Sequence, residues 1–211
     1  PVHLYGQAAD LNAIMAIANK HQLYVVEDNA QAIGSDYHLN DGRKVKTGTV
    51  GHIGCTSFFP SKNLGCYGDG GMVTTQSDAM AEKLRMLRNH GSKVRYYHDI
   101  VGYNSRLDEL QAVVLRAKLP LIDHYNQERR RVAHRYNAGL CLLNLQTPCE
   151  DGVGLHVYHQ YTVHVGPARD EIVKDLANDG IGTGIYYPIP VSQQPYIKER
   201  GLDVALPVTD A

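Results

Sequence analysis

The sequence predicts an α/β fold in which helices cover a mainly parallel sheet. Apolar residues recur at helical spacing at Leu11, Ile14, Met15 and Ala18. Short apolar runs, "QLYVVED", "HIGCTSFF" and "GGMVTTQ", alternate with helical stretches, and no internal repeat or low-complexity segment breaks that order. Strands separated by helices favour parallel pairing, and in such sheets function gathers beyond the carboxyl ends of the strands.

Each element has its own signal. "PVHLYG" reads as the end of a loop and a buried strand, so the chain is expected to begin inside a domain; "GLDVALPVTDA" likewise stops without a terminal helix or polar tail. The helix around Leu11–Ala18 leads into the strand "QLYVVED", which two acids close. "AQAIGSDYHLNDGRKVKTGTVG" is irregular, with a short hairpin around "NDGRK". Strands "HIGCTSFF" and "GGMVTTQ" follow, and Ser77 or Asp78 caps a helix that runs through Arg88. Asp108 begins the helix "DELQAVVLRAKL", Pro120 interrupts it, and a second long helix reaches about Leu140. "LQTPCEDGVG" is loop, "HVYHQYTVHV" alternates as a strand, "ARDEIVKDLANDG" is a helix ended by Gly180, and "IGTGIYYPIP" extends again, so a smaller α+β unit follows.

Composition bounds the function. The 211 residues are 43% hydrophobic, enough for a substantial core in one or two domains. Lys and Arg number 21 against 22 Asp and Glu, a formal charge of −1 that argues against a dedicated nucleic-acid or anionic-membrane binder. No apolar run approaches a membrane span. Cys55, Cys66, Cys141 and Cys149 form no CxxC pair, and without a secretory signal the expected setting is the reduced cytoplasm.

Two residues close apolar strands in a way that invites chemistry. Asp28 ends "LYVVED", and Lys62 lies just beyond "CTSFFP" in "SFFPSKNLGCYGDGG". A lysine held by glycine-permitted turns beside a buried strand end can be desolvated and aimed, which suits a nucleophilic amine that forms a Schiff base. An acid at a neighbouring strand end can pair with a pyridinium nitrogen and maintain pyridoxal phosphate as an electron sink. Ser57 is placed to offer a hydroxyl to the cofactor phosphate, and Gln31 lies one short turn past Asp28, near one face of the ring. The bland alternatives are a turn-forming Asp, a solvated Lys and glycines that only shape a hairpin.

The motifs "VHLYGQ", "VVEDNAQAIG", "SFFPSKNLGCYGDGG", "LRNHGS", "GYNSRLDELQA" and "HVYHQYTV", in that order, resemble those of the DegT/DnrJ/EryC1/StrS sugar aminotransferases over almost the whole chain. The resemblance implies a type I fold dependent on pyridoxal 5'-phosphate, with residues 1–118 in the large cofactor-binding domain and 119–211 forming a linking helix and part of a small C-terminal domain. It implies a homodimer with shared sites that aminates a keto group on a nucleotide-linked deoxy sugar, with glutamate as amino donor and ping-pong kinetics. By motif, Lys62 is similar to the Schiff-base lysine and proton shuttle, Asp28 to the partner of the pyridine nitrogen, and Gln31 to the residue packed on the ring. Ser57 is similar to the phosphate-binding serine, and Asn104 to the asparagine that reaches the phosphate of the partner subunit's cofactor.

Some features depart from the family pattern. The N-terminal loop that usually holds the cofactor phosphate is missing, which implies an incomplete site in this chain. Tyr186 and Ser192 stand where many relatives carry histidines, which bears on sugar or nucleotide contacts. "VHLYGQ" with "IYYPIP" leans toward amination of a 3-keto sugar rather than a 4-keto one. The dehydratase branch of the family replaces the lysine by histidine, so retained Lys62 favours transamination, and a non-catalytic module would not need all five residues. Among rival readings, His156, His159 and His164 face alternate sides of a strand and converge poorly on a metal. The run "QERRRVAHR" reads as an amphipathic helix with Val132, Ala133, Tyr136 and Leu140 on its apolar face. Tyr96, Tyr97 and Tyr103 are packing or cleft-lining tyrosines.

Overall fold

The computed structural model describes residues 1–143, 145–207 and 209. The chain forms two compact units, Pro1–His164 and Val165–Ala211.

In the first unit, helix α1 (Leu11–His21) is capped by the Asp10 carboxylate, which accepts from the Ala13 N–H. The expected apolar stripe is the one that turns inward: Leu11 and Ala18 are buried, and Ile14 and Met15 half-buried. Strand β1 (Val26–Asp28) follows, and then an antiparallel hairpin of β2 (Asp36–His38) and β3 (Lys44–Lys46) built around the predicted turn. Leu11, Ala8 and Tyr37 form one core cluster, bordered by Leu39, Val45 and Val50.

Strands β4 (Ile53–Ser57) and β5 (Gly71–Thr74) join β1 in a three-stranded sheet of order β1-β4-β5. β1 and β4 run parallel, with Asp28 opposite Cys55, whereas β4 and β5 are antiparallel. The mainly parallel sheet is therefore, within this chain, one parallel and one antiparallel pair. The 58–70 connection contains no helix to carry the chain back across the sheet, so it doubles back directly. The N-terminal segment lies along the other edge of β1: Val2 bridges Asp28 in parallel, and the chain then tightens into a 3-10 turn at Leu4–Gly6.

Helix α2 (Asp78–Arg88) starts where the Ser77 hydroxyl accepts from the Met80 N–H. Helices α3 (Glu109–Lys118) and α4 (Ile122–Leu140) are separated by a 3-10 turn containing Pro120, as a proline inside a helical pattern requires. Leu115 of α3 and Ile122 of α4 pack on Phe58, Leu64 and Cys66 to form the second core cluster. On α4 the buried stripe is Ile122, Asn126 and Ala133. Val132 and Tyr136 are exposed, so the predicted apolar face is rotated, because Asn126, Arg129 and Arg130 turn inward to bond carbonyl groups.

The expected strand "HVYHQYTVHV" is not one. Leu155, Val157 and His159 donate in turn to Asp36, Gly6 and Tyr5, so the segment is extended but serves separate stretches, and Tyr158 at φ 43° breaks its run. The second unit carries α5 (Arg169–Asn178), followed by Gly180 at φ 75° as predicted, and α6 (Pro195–Glu199). Residues 181–190 form no strand, so the extended elements of a smaller α+β unit are not paired here among the described residues.

Candidate cofactor site

A parallel pair places the carboxyl ends of β1 and β4 on the same edge of the sheet, and period-2 geometry puts Val26 and Asp28 on one face beside Cys55 and Ser57. These residues, with Ala30, Thr56 and Gly70, line an open cleft of about 470 Å³. Asp28 is exposed, and one of its oxygens accepts from the Ala30 N–H, an Asx turn that fixes the carboxylate at the strand end. The Ser57 hydroxyl accepts from the Phe59 N–H at 3.3 Å and keeps its own proton for a ligand. Burial, and secondarily the charge of Asp28, push the Cys55 thiol above its ordinary value, so it is a neutral wall of the cleft.

The other face of β1 carries Glu27, fully buried with His3. Its carboxylate accepts from His3 Nε2 and from the N–H groups of Gly48, Val50 and Gly51, while His3 Nδ1 accepts from Ala9. One buried side chain thus ties the N-terminal segment, β1 and the turn before β4 together. Burial alone would push this carboxyl above its ordinary value, but the His3, Gly51 and Gly48 bonds outweigh it and hold Glu27 below the ordinary range. Sequence reasoning missed the pair. Its signal was an acid out of phase with Asp28 in an apolar strand, since an inward acid needs a partner.

Lys62 sits on a loop whose shape follows from the glycines around it. Phe58, Leu64 and Cys66 are buried in the core, and Cys66 N–H and thiol both donate to Phe58 O, closing the loop. A Cβ on Gly65 would lie 2.4 Å from Pro60 O, so only glycine permits this turn. Lys118 of α3 donates to Gly65 O at 2.7 Å. The loop is thus anchored on both sides of half-buried Lys62.

Gln31 is fixed from the N-terminal segment: its Oε1 accepts from the Tyr5 N–H at 2.6 Å. The adjacent Tyr5 carbonyl accepts from the His159 N–H, and His159 Nδ1 bonds Asn63 Oδ1, next to Lys62. Burial, then the charges of Lys62 and Arg129, lower the His159 imidazole to about 4, so it is neutral at physiological pH. The structure therefore brings Asp28 and Ser57 together on one cleft and connects Gln31 to the Lys62 loop through Tyr5 and His159. Asn104 lies outside the cleft lining, exposed, in a bridge with Asn89. Tyr186, also exposed, and Ser192 belong to the second unit. Among the described residues no group of three or more His, Cys, Asp or Glu is placed to hold a metal ion.

This arrangement of strands and helices matches half of a solved DegT DnrJ EryC1 StrS aminotransferase from Brucella abortus, with TM-score 0.86 and 38% identity over 94% of this chain and 52% of that one. The chain superposes on S. venezuelae DesV, solved in complex with a ketimine intermediate, with TM-score 0.86 and 43% identity over 94% of this chain and 52% of that one. It belongs to the DegT/DnrJ/EryC1/StrS aminotransferase family, whose model matches residues 1–211. It is 54% identical over 194 residues to UDP-N-acetyl-3-dehydro-alpha-D-glucosamine 3-aminotransferase of Acidithiobacillus ferrooxidans, covering 92% of this chain and 51% of that protein. To dTDP-3-amino-3,4,6-trideoxy-alpha-D-glucose transaminase of Streptomyces venezuelae it is 43% identical over 216 residues, 98% of this chain and 54% of that one. The chain spans about half the length of the curated relatives it matches.

Proposed function

We propose that this chain is part of a pyridoxal phosphate-dependent aminotransferase that places an amino group on the keto carbon of a nucleotide-linked deoxy sugar. Carbon 3 is the favoured position and glutamate the amino donor. Membership of the family supports the reaction class, and the 3-dehydro sugar in one relative's name and the 3-amino sugar in another's support the position. The observation that carries the reading is the convergence of Asp28 and Ser57 on one face of a parallel strand pair, at the edge where α/β proteins bind ligands.

The residues present fit the cofactor. In this reading Asp28 accepts from a protonated ring nitrogen, the Ser57 hydroxyl donates to a phosphate oxygen and Gln31 packs on the ring; the Asx turn that fixes Asp28 and the free Ser57 proton support the first two roles. Pyridoxal phosphate, when bound, supplies an electron sink for charge developing on carbon. Lys62 Nζ holds the cofactor and moves the proton between cofactor and substrate carbon. In a homodimer with shared sites, Asn104 reaches the partner's phosphate. Its exposure, with that of Tyr96, Tyr97, Val101 and Tyr103 nearby, supports such a surface. In this reading residues 1–118 belong to the large domain of the type I fold, and 119–211 to the linking helix and small domain. Tyr186 and Ser192 bear on sugar or nucleotide choice. No helix is long and apolar enough to cross a membrane among the described residues, and the cysteines are free, which supports a cytoplasmic setting. Retained lysine at position 62 disfavours the dehydratase alternative.

The test is an absorbance spectrum of the complete protein containing this sequence, with pyridoxal phosphate, as wild type and Lys62→Ala, before and after glutamate. A visible band that glutamate bleaches in wild type, and that is missing in Lys62→Ala, is the expected result. Wild type without such a band would overturn the reading.

A further inference from the structure

The residues that hold Lys62 in place are more specific than packing alone requires. Asn63, beside it, is buried, and its amide nitrogen donates to both Asn126 Oδ1 (2.8 Å) and Val157 O (3.1 Å). The Asn63 oxygen is therefore the atom that meets His159 Nδ1 at 3.2 Å, and an oxygen can only accept. Hence His159 carries its proton on Nδ1, and Nε2 is left with a lone pair. The backbone of His159 is held on both sides as well. Its N–H donates to Tyr5 O at 2.8 Å, and its carbonyl accepts from Arg129 Nη1 at 3.2 Å. Tyr5 in turn donates to Gln31. The approach is close: a Cβ on Gly6 would lie 2.9 Å from the Tyr158 nitrogen.

We propose that His159 is a positioning residue for Lys62: through its Nδ1–H bond to Asn63 and its backbone bond to Tyr5, it fixes the lysine loop in register with Gln31. This rests on the reading of Lys62 as the cofactor lysine. The residue type follows from the surroundings. Lys62 and Arg129 are both near, and neither joins an ion pair among the described residues. A further cation would add repulsion beside the lysine, an acid would pair with it, and an apolar ring would leave the buried Asn63 oxygen without a donor. A neutral imidazole with one fixed proton meets all three conditions. Reactive groups must be held to a fraction of an ångström, because a misplacement of about 1 Å costs on the order of a hundredfold in rate.

The experiment uses the complete protein as wild type, His159→Phe and His159→Asn. Asparagine can present its amide N–H close to where Nδ1–H lies; phenylalanine cannot. Apoprotein is mixed with pyridoxal phosphate, and the condensation of Lys62 Nζ with the aldehyde, with loss of water, is followed by absorbance. Borohydride then fixes the product for peptide mass mapping, so the readout does not depend on turnover. His159→Phe is expected to slow linkage at Lys62 by about tenfold or more, and His159→Asn to recover most of that loss. Linkage by His159→Phe at the wild-type rate, or a folded His159→Asn as slow as His159→Phe, would overturn the proposal. Should His159→Phe not fold, the ring nitrogen shifts of wild-type His159 by 15N NMR decide: an Nδ1–H imidazole supports the role, and an Nε2–H or charged ring overturns it. Wild type that never links at Lys62 would instead overturn the cofactor reading, and this inference with it.

Discussion

Replacing Glu27 by glutamine conserves shape, removes the charge and turns one acceptor oxygen into a donor nitrogen, which makes its cost calculable. In the native chain Oε1 accepts from Val50 and Gly51, and Oε2 from Gly48 and His3. Whichever end the new amide nitrogen occupies, it confronts two donors. His3 cannot resolve the conflict by exchanging tautomers, because its Nδ1 already accepts from Ala9. Both side chains are fully shielded from water, so two unmatched buried donors at about 1–3 kcal/mol each give a loss of roughly 2–6 kcal/mol. That is a large share of the ~5–15 kcal/mol that stabilises a typical domain. Urea unfolding of wild type and Glu27→Gln measures it through the midpoint and slope. The pH dependence has a definite sign. The native carboxyl lies below its ordinary 4.5, so its stabilisation is complete above that value and disappears as pH falls through the depressed native value. Glu27→Gln should lack that part of the acid slope. A loss under about 1 kcal/mol, with unchanged slope in urea, would refute the account of the pair.

Ser77→Ala removes the hydroxyl that caps the Met80 N–H of α2 and should lower stability by about 1 kcal/mol, read by thermal or urea melts. Gly54→Ala should cost about 1–3 kcal/mol or more, since a Cβ there would stand 2.1 Å from Gly48 O, a backbone atom that cannot swing aside; hydrogen exchange should show β4 and the 48–51 turn loosened together.

Much of the fold was legible because it is local. The inward stripe of α1, the Ser77 cap and the break at Pro120 depend on residues within a turn of one another, and each stands where spacing put it. The hairpin was readable from Asn40, Asp41 and Gly42. Periodicity failed where tertiary bonds set the conformation. "HVYHQYTVHV" alternates like a strand, yet its partners are a 3-10 turn, α4 side chains and, at His164, an isolated bridge to Gln146, so no ladder forms. On α4 the apolar residues mislead because amide and guanidinium groups, not methyls, satisfy the carbonyl groups packed beneath. At the candidate site, Asp28 and Ser57 were readable from strand ends. His159 was weighed only as a metal ligand, since nothing in a linear sequence shows that it meets Asn63.

The contact between His159 and Asn63 joins residues 96 positions apart, and that between Tyr5 and Gln31 spans 26. Closing so long a loop is entropically costly before its contacts reward it, so this junction is expected to form after α1, α2 and the hairpin, an order that φ-values would test. The lysine loop is then among the last parts of the chain to acquire its final shape. A small molecule that requires Gln31 and Lys62 together would engage only finished molecules, and its capture would count mature chains rather than compact ones.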